Sequence, residues 1–167
     1  STPTACRAKL KEAFNLIMDT DEVTVQEFIK EFREEFNTSP IEDIAFPRSV
    51  KNIAKYTDNF NIYQKATPIH VRGTLLHNHY LKKYKLTKKY PLIQEGEKIK
   101  FVYLKSPNPI KENVIAMMNG LPKEFNLEPY IDYETQFNKS FRDPLADILK
   151  TIGWSPERIN TLSAFFV

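Results

Sequence analysis

The sequence predicts an α+β fold: a helical hairpin first, a small antiparallel sheet in the middle, and helices towards the carboxy terminus. Three observations predict it. Apolar residues recur at helical spacing through the first 36 residues, residues 99–104 alternate with Lys98 and Lys100 as a strand should, and the 167 residues, 41% hydrophobic and 13% aromatic, can bury one proper core or two small ones.

Thr2-Pro3 is a good helix start, because threonine caps free N–H groups and proline is tolerated in the first turn. Leu10, Phe14 and Ile17 carry that helix to about Met18. Thr24 with Glu27 reads as a capping box, and Val25, Phe28, Ile29, Phe32 and Phe36 form the stripe of a second helix that ends at Asn37-Thr38-Ser39-Pro40. Residues 41–46 read as a short strand, and 49–56 as a short helix or turn. Val71, Leu75 and Leu76 mark a helix over 70–84, while 113–118 supplies a second strand joined to 99–104 through Pro107-Asn108-Pro109. Glu128-Pro129 opens a helical stretch through Phe137, and Asp143-Pro144 begins another that reaches Ile152 before Gly153. There is no internal repeat and no convincing linker, which indicates one elongated domain with room for two lobes.

Only four glycines and eleven scattered prolines argue against a low-complexity tail. No apolar run approaches the roughly 18 residues that cross a bilayer, and no signal peptide opens the chain, so a soluble intracellular protein without a membrane partner is expected. Cys6, the one cysteine, sits in a helical pattern beside Ala5 and Ala8 and reads as a small buried hydrophobe. No initiator methionine precedes Ser1, which suggests a piece of something longer.

Net charge is only +3, but it is unevenly spread. Residues 1–50 carry 6 Lys/Arg against 10 Asp/Glu, and 106–167 carry 6 against 8. Between them, 51–105 carry 12 against 3, which makes the central third a cation. Asn52, Lys55, Tyr56, Tyr63, Lys65, His70, Arg72, Tyr80 and Tyr84 interleave aromatics and amides with that charge, a mixture suited to phosphate and sugar contact. The lysines at 82, 83, 85, 88 and 89, taken alone, read better as a solvated face.

Catalytic motifs are set aside on geometry. Asp19-Thr20-Asp21 pairs carboxylates as two-metal enzymes do, yet it lies in the link between two amphipathic helices, where aspartate serves turns and caps. His77 and His79 are two apart on a helix and point to different faces, which disfavours a metal site with His70. Cys6 has no activating base in view, and no glycine-rich phosphate loop exists. No catalytic and no metal-binding residue is therefore assigned.

Several motifs, in order, carry a family resemblance over nearly the whole chain: Ser1-Thr2-Pro3, Asn52-Ile53-Ala54-Lys55-Tyr56, Pro68-Ile69-His70-Val71-Arg72-Gly73, Asn108-Pro109, Lys139-Ser140-Phe141 and Pro144-Leu145. The set resembles the carboxy-terminal thumb of family B DNA polymerases from T-even-like bacteriophages. What the resemblance implies is a thumb domain over 1–160 that wraps newly made primer-template duplex by its sugar-phosphate backbone. It assigns no chemistry to this chain, with Mg2+ expected only in a palm that the chain lacks, and it places the protein in the cytoplasm of an infected bacterial host. The remaining polymerase regions (palm, fingers and exonuclease) would be its partners, whether the chain is an excised fragment or a split-gene product.

Lys65, Arg72 and Lys139 match family positions that contact duplex DNA, the first two without nearby acids in sequence; Lys55, Tyr56 and His70 follow. The family often has lysine where this chain has Asn113 and Asp143, and Lys111 and Arg142 are the neighbours that would replace those cations. Family members end in a hydrophobic peptide that docks on the sliding clamp. Residues 161–167 suit that role, because Leu162, Phe165 and Phe166 fall at i, i+3 and i+4 and would enter one groove together. Two other classes stay open: a standalone duplex-binding accessory protein, and an interaction module that recruits a clamp while its lysines serve solubility.

Overall fold

The computed structural model describes residues 1–158. The fold is α+β, with helices flanking a three-stranded antiparallel sheet. Helix α1 (Thr4–Asp19) and helix α2 (Glu22–Phe36) pack as a hairpin. Neither start is capped where the sequence suggested. Pro3 stands at the cap of α1 and its carbonyl accepts from the Cys6 amide at 3.0 Å, leaving Thr2 without a capping bond. At α2 the Asp21 carboxylate accepts from the Thr24 amide at 2.9 Å, so the helix begins three residues before the expected Thr24–Glu27 box.

Helix α2 buries Val25, Ile29, Phe32 and Phe36. Helix α1 buries Cys6 and Ala13 instead of its large apolar residues, and Phe14 stays 41% exposed. Small side chains let its backbone come close to the carboxy-terminal helices, where the Cys6 thiol donates to Ser140 Oγ at 3.4 Å. Burial pushes that thiol's pKa up, consistent with a packing role. Phe32 meets Phe36, Phe137 and Phe141 at ring separations of 5.9, 5.8 and 4.7 Å, joining the hairpin to those helices.

Residues 41–46 are not a strand. Pro40 starts a single helical turn, α3 (Ile41–Ile44), and strand β1 (Phe46–Ser49) begins after it. β1 pairs antiparallel with β4 (Lys98–Tyr103), which pairs antiparallel with β5 (Val114–Met117), giving the order β1-β4-β5. Between β1 and β4 lie α4 (Ile53–Tyr56), an unexpected hairpin of β2 (Thr57–Asp58) and β3 (Ile62–Tyr63), and α5 (Ile69–Lys83). Helix α5 lies directly on β5, and Gly73 permits the approach: a Cβ there would stand 3.0 Å from the Ala116 nitrogen. One turn on, buried His77 donates from Nδ1 to the Ala116 carbonyl at 2.8 Å. Its imidazole is pushed down to about 4 by burial, partly opposed by that bond.

The carboxy-terminal helices form one run. Asp132 caps α6 (Tyr133–Phe137) by accepting from the Thr135 amide at 3.0 Å, and a widened π turn over Asn138–Arg142 leads straight into α7 (Asp143–Thr151). Helix α7 begins at Asp143-Pro144 as expected, but it follows the preceding turn without a break. Pro144 has no N–H for the carbonyl four residues back and its ring would strike it; the wider turn, in which the Asp143 amide bonds Asn138, relieves that conflict. Gly153, at φ 75°, closes the run. The expected peptide 161–167, with Leu162, Phe165 and Phe166, lies outside the described residues. No described helix is long and apolar enough to cross a membrane.

Candidate nucleic-acid interface

Three segments meet at one end of the sheet. β3 delivers Tyr63, the first turn of α5 delivers Arg72, and the approach to β5 delivers Glu112 and Asn113. Arg72 Nη1 donates to Glu112 Oε2 at 3.2 Å and to Asn113 Oδ1 at 2.7 Å, while its guanidinium carbon lies 5.6 Å from the centre of the Tyr63 ring. The Tyr63 hydroxyl donates to both Glu112 oxygens, at 2.8 and 3.0 Å, and burial together with that carboxylate raises its pKa. Arg72 is thus held on a stacking platform by a carboxylate. The expectation that it stands clear of acids does not survive: Glu112 is remote in sequence and is brought in by the β4–β5 connection. Both bonds leave from Nη1, so the Nε–Nη2 edge, suited to bidentate contact with phosphate, has no protein partner among the described residues.

Lys65 is exposed and lines an open cleft with Asp58, Asn61, Tyr63, Gln64 and Glu112. Lys55 is exposed, its ammonium 5.2 Å from the ring centre of half-buried Tyr56. Gln64 ties this pair to the hairpin, donating from its amide to the Tyr56 carbonyl at 2.8 Å and from its side chain to the Thr57 carbonyl at 3.0 Å. The Lys139 ammonium lies 5.2 Å from the ring centre of Tyr103, which pairs with Val114 beside Asn113, at the same end of the sheet. Lys111 is exposed in the turn closed by its own amide on the Asn108 carbonyl at 3.1 Å.

Two expected residues sit differently. His70 is 9% exposed, its Nδ1 has no hydrogen-bond partner among the described residues, and burial first and Arg48 second push its pKa down. Arg142 is not a free replacement cation, because it donates to both Glu157 oxygens and to Asp143 Oδ1 at 3.0 Å. Among the described residues no cluster of three or more histidines, cysteines or acids could hold a metal. In the Asp19-Thr20-Asp21 segment, Asp21 serves as the cap of α2.

Sequence reasoning missed Glu112 and the hairpin tip. Glu112 carries a weak signal, a lone acid between Lys111 and Asn113 in an otherwise nearly uncharged stretch. The tip, Asp58-Asn59-Phe60-Asn61, carries a clearer one, since aspartate and asparagine favour turns.

No protein-family profile matches the chain. By structure it is similar to part of the family B DNA polymerase from the hyperthermophilic archaeon Pyrobaculum calidifontis, with a TM-score of 0.48 and 14% identity over 83% of this chain and 16% of that one. By sequence it is 32% identical to the DNA-directed DNA polymerase of Enterobacteria phage T4 over 170 residues, which takes in 99% of the chain. It is 34% identical to that of Escherichia phage RB69 over 150 residues, or 87% of the chain. Such coverage makes this a polymerase-derived domain. It belongs with the phage family B DNA polymerases, and it spans 18% and 16% of the two phage relatives' lengths.

Proposed function

We propose that the chain is the thumb of a phage-type replicative DNA polymerase. It grips primer-template duplex through the backbone, with the palm, fingers and exonuclease regions of the polymerase as its partners, whether it acts as a fragment or as a split-gene subunit. One observation carries the reading: Lys65, Arg72 and Asn113 come from separate segments to one end of the sheet, with Lys55 tied in through Gln64 and Lys139 reaching the same end over Tyr103. Loops on a rigid sheet-and-helix support suit a phosphate grip, because the cations are positioned before the duplex arrives. The first turn of α5 adds to it, since no side-chain cap is made there and that turn carries no acid of its own. The chain supplies grip and no bond-making; Mg2+ would belong to the palm. Residues 161–167 would tether the assembly to the sliding clamp through Leu162, Phe165 and Phe166.

Two measurements test this. Mixing the chain with a verified polypeptide carrying the remaining polymerase regions is expected to restore primer extension, and no rescue counts against it. Affinity for duplex should fall steeply with salt, by roughly 0.9 in log affinity per log salt for each phosphate engaged. A flat salt profile removes the grip and leaves the interaction-module reading.

A further inference from the structure

The β2–β3 hairpin presents Phe60 at 96% exposure, higher than any other large apolar side chain of the described residues. A single exposed phenylalanine needs no explanation by itself, but this one does not dangle. The Asp58 carboxylate accepts from the Phe60 amide at 2.8 Å and the Asn61 amide at 3.2 Å, and these bonds lower the Asp58 pKa. The Tyr63 amide then closes on the Asn61 carbonyl at 2.8 Å around Ile62, which sits at φ 71°. A β-branched residue in that region is strained, and the γ-turn it forms is the rare one of the two kinds. Gln64 fastens the base of the hairpin to Tyr56 and Thr57. A strained, over-determined turn thus projects one aromatic ring, so little ordering entropy remains to be lost when the ring is covered.

The surroundings say what covers it. Exposed Lys55 and Lys65 flank the hairpin, Arg72 stacks on Tyr63 at its base, and Phe60 falls in sequence between exposed Asn59 and Asn61. An apolar side chain between asparagines, with Lys55, Lys65 and Arg72 on neighbouring segments and the nearby carboxylates of Asp58 and Glu112 engaged in hydrogen bonds, matches the chemistry of the minor groove, where amides meet base acceptors and wedges part base steps. We infer that Phe60 is a base-contacting wedge, inserted from the minor groove against a base step of the bound duplex while the surrounding cations hold phosphates. This rests on the duplex-grip reading and adds to it a contact with the bases.

The test uses the full chain with duplexes carrying 2-aminopurine at successive positions, reading its fluorescence and the binding anisotropy together. The wild-type chain should brighten the probe at one or two steps through unstacking. Phe60→Ala should abolish that signal and weaken binding about tenfold with an unchanged salt slope, since no phosphate contact is lost. Phe60→Leu should keep part of both, and neither should move Tm because the ring packs on nothing. If Phe60→Ala binds duplex with wild-type affinity and an identical fluorescence profile, the wedge is refuted while the grip stands. If the wild-type chain shows no salt-dependent duplex binding, the wedge and the grip fall together. Wild-type loss of the apolar tip's effect only when the other polymerase regions are added would show that protein covers Phe60, and would also overturn the proposal.

Discussion

Glu112→Gln should tighten duplex binding. Glu112 Oε2 lies 3.2 Å from Arg72 Nη1, and the two side chains are only 19% and 20% exposed, so the carboxylate is poorly screened from whatever Arg72 touches. A phosphate on the free Nε–Nη2 edge would sit about 7 Å from that carboxylate. At an effective dielectric of about 20 the repulsion is about 2.4 kcal/mol, and physiological salt roughly halves it. Glutamine keeps an oxygen for Arg72 or the Tyr63 hydroxyl, so the guanidinium remains aimed while the charge disappears. Removing about 1 kcal/mol of repulsion corresponds to a five- to tenfold gain in affinity. The lost ion pair should lower folding stability by about 1 kcal/mol, so affinity and urea unfolding need to be measured on the same protein. Fluorescence anisotropy on a short duplex at fixed salt reads the gain directly. Weaker binding by a variant that folds normally would refute the reasoning, because it would mean that Arg72 faces something other than phosphate.

Arg72→Ala and Lys65→Ala should each weaken binding to all duplex sequences alike and flatten the salt dependence by about 0.9; loss confined to some sequences would contradict a backbone grip. Replacing Phe165 and Phe166 by alanine should leave DNA affinity within twofold while abolishing clamp association, and unaltered clamp binding in a pull-down would dispose of the tail assignment. His77 is held at about 4 in the fold against about 6.5 unfolded, so its stabilising effect is complete above pH 6.5 and lost as pH falls towards 4. Urea unfolding should show about 2 kcal/mol less stability at pH 5 than at pH 7 from this residue, and the loss should shrink in His77→Gln. Gly73→Ala would put a methyl 3.0 Å from the Ala116 nitrogen, and about 1–3 kcal/mol of destabilisation is expected by thermal unfolding.

The long elements were legible because their apolar spacing has no competing explanation: the α2 stripe, the helix over α5 and the two strands around Val102 and Ile115 stand where periodicity put them. What misled was punctuation. The stretch ending at Pro40 does close α2, yet Pro40 also begins the turn of α3, and Pro144 does stand in the first turn of α7, yet the run before it leads in without a break by widening to accept it. Proline fixes one backbone angle and removes one donor, and both facts are compatible with either side of a boundary. Helix α1 misled differently. Periodicity ranks Phe14 above Ala13, but close helix packing favours the smaller residue, and which face comes close is a tertiary fact.

The same distinction governs the candidate site. Charge is local, so the cationic central third was visible from a count of residues, and Lys55, Lys65 and Arg72 could be named from it together with the motifs. Pairing is not local. Glu112 reaches Arg72 from forty residues away, and Glu157 reaches Arg142 from fifteen, so one cation is shaped and another consumed by acids that no window of sequence places beside them. Two arginines of equal formal charge therefore differ in what they can offer a phosphate. Arg142 donates from Nε, Nη1 and Nη2 to carboxylates, whereas the Nε–Nη2 edge of Arg72 meets no partner among the described residues. A grip built at this end of the sheet would depend more on Arg72 than on the count of positive charges around it.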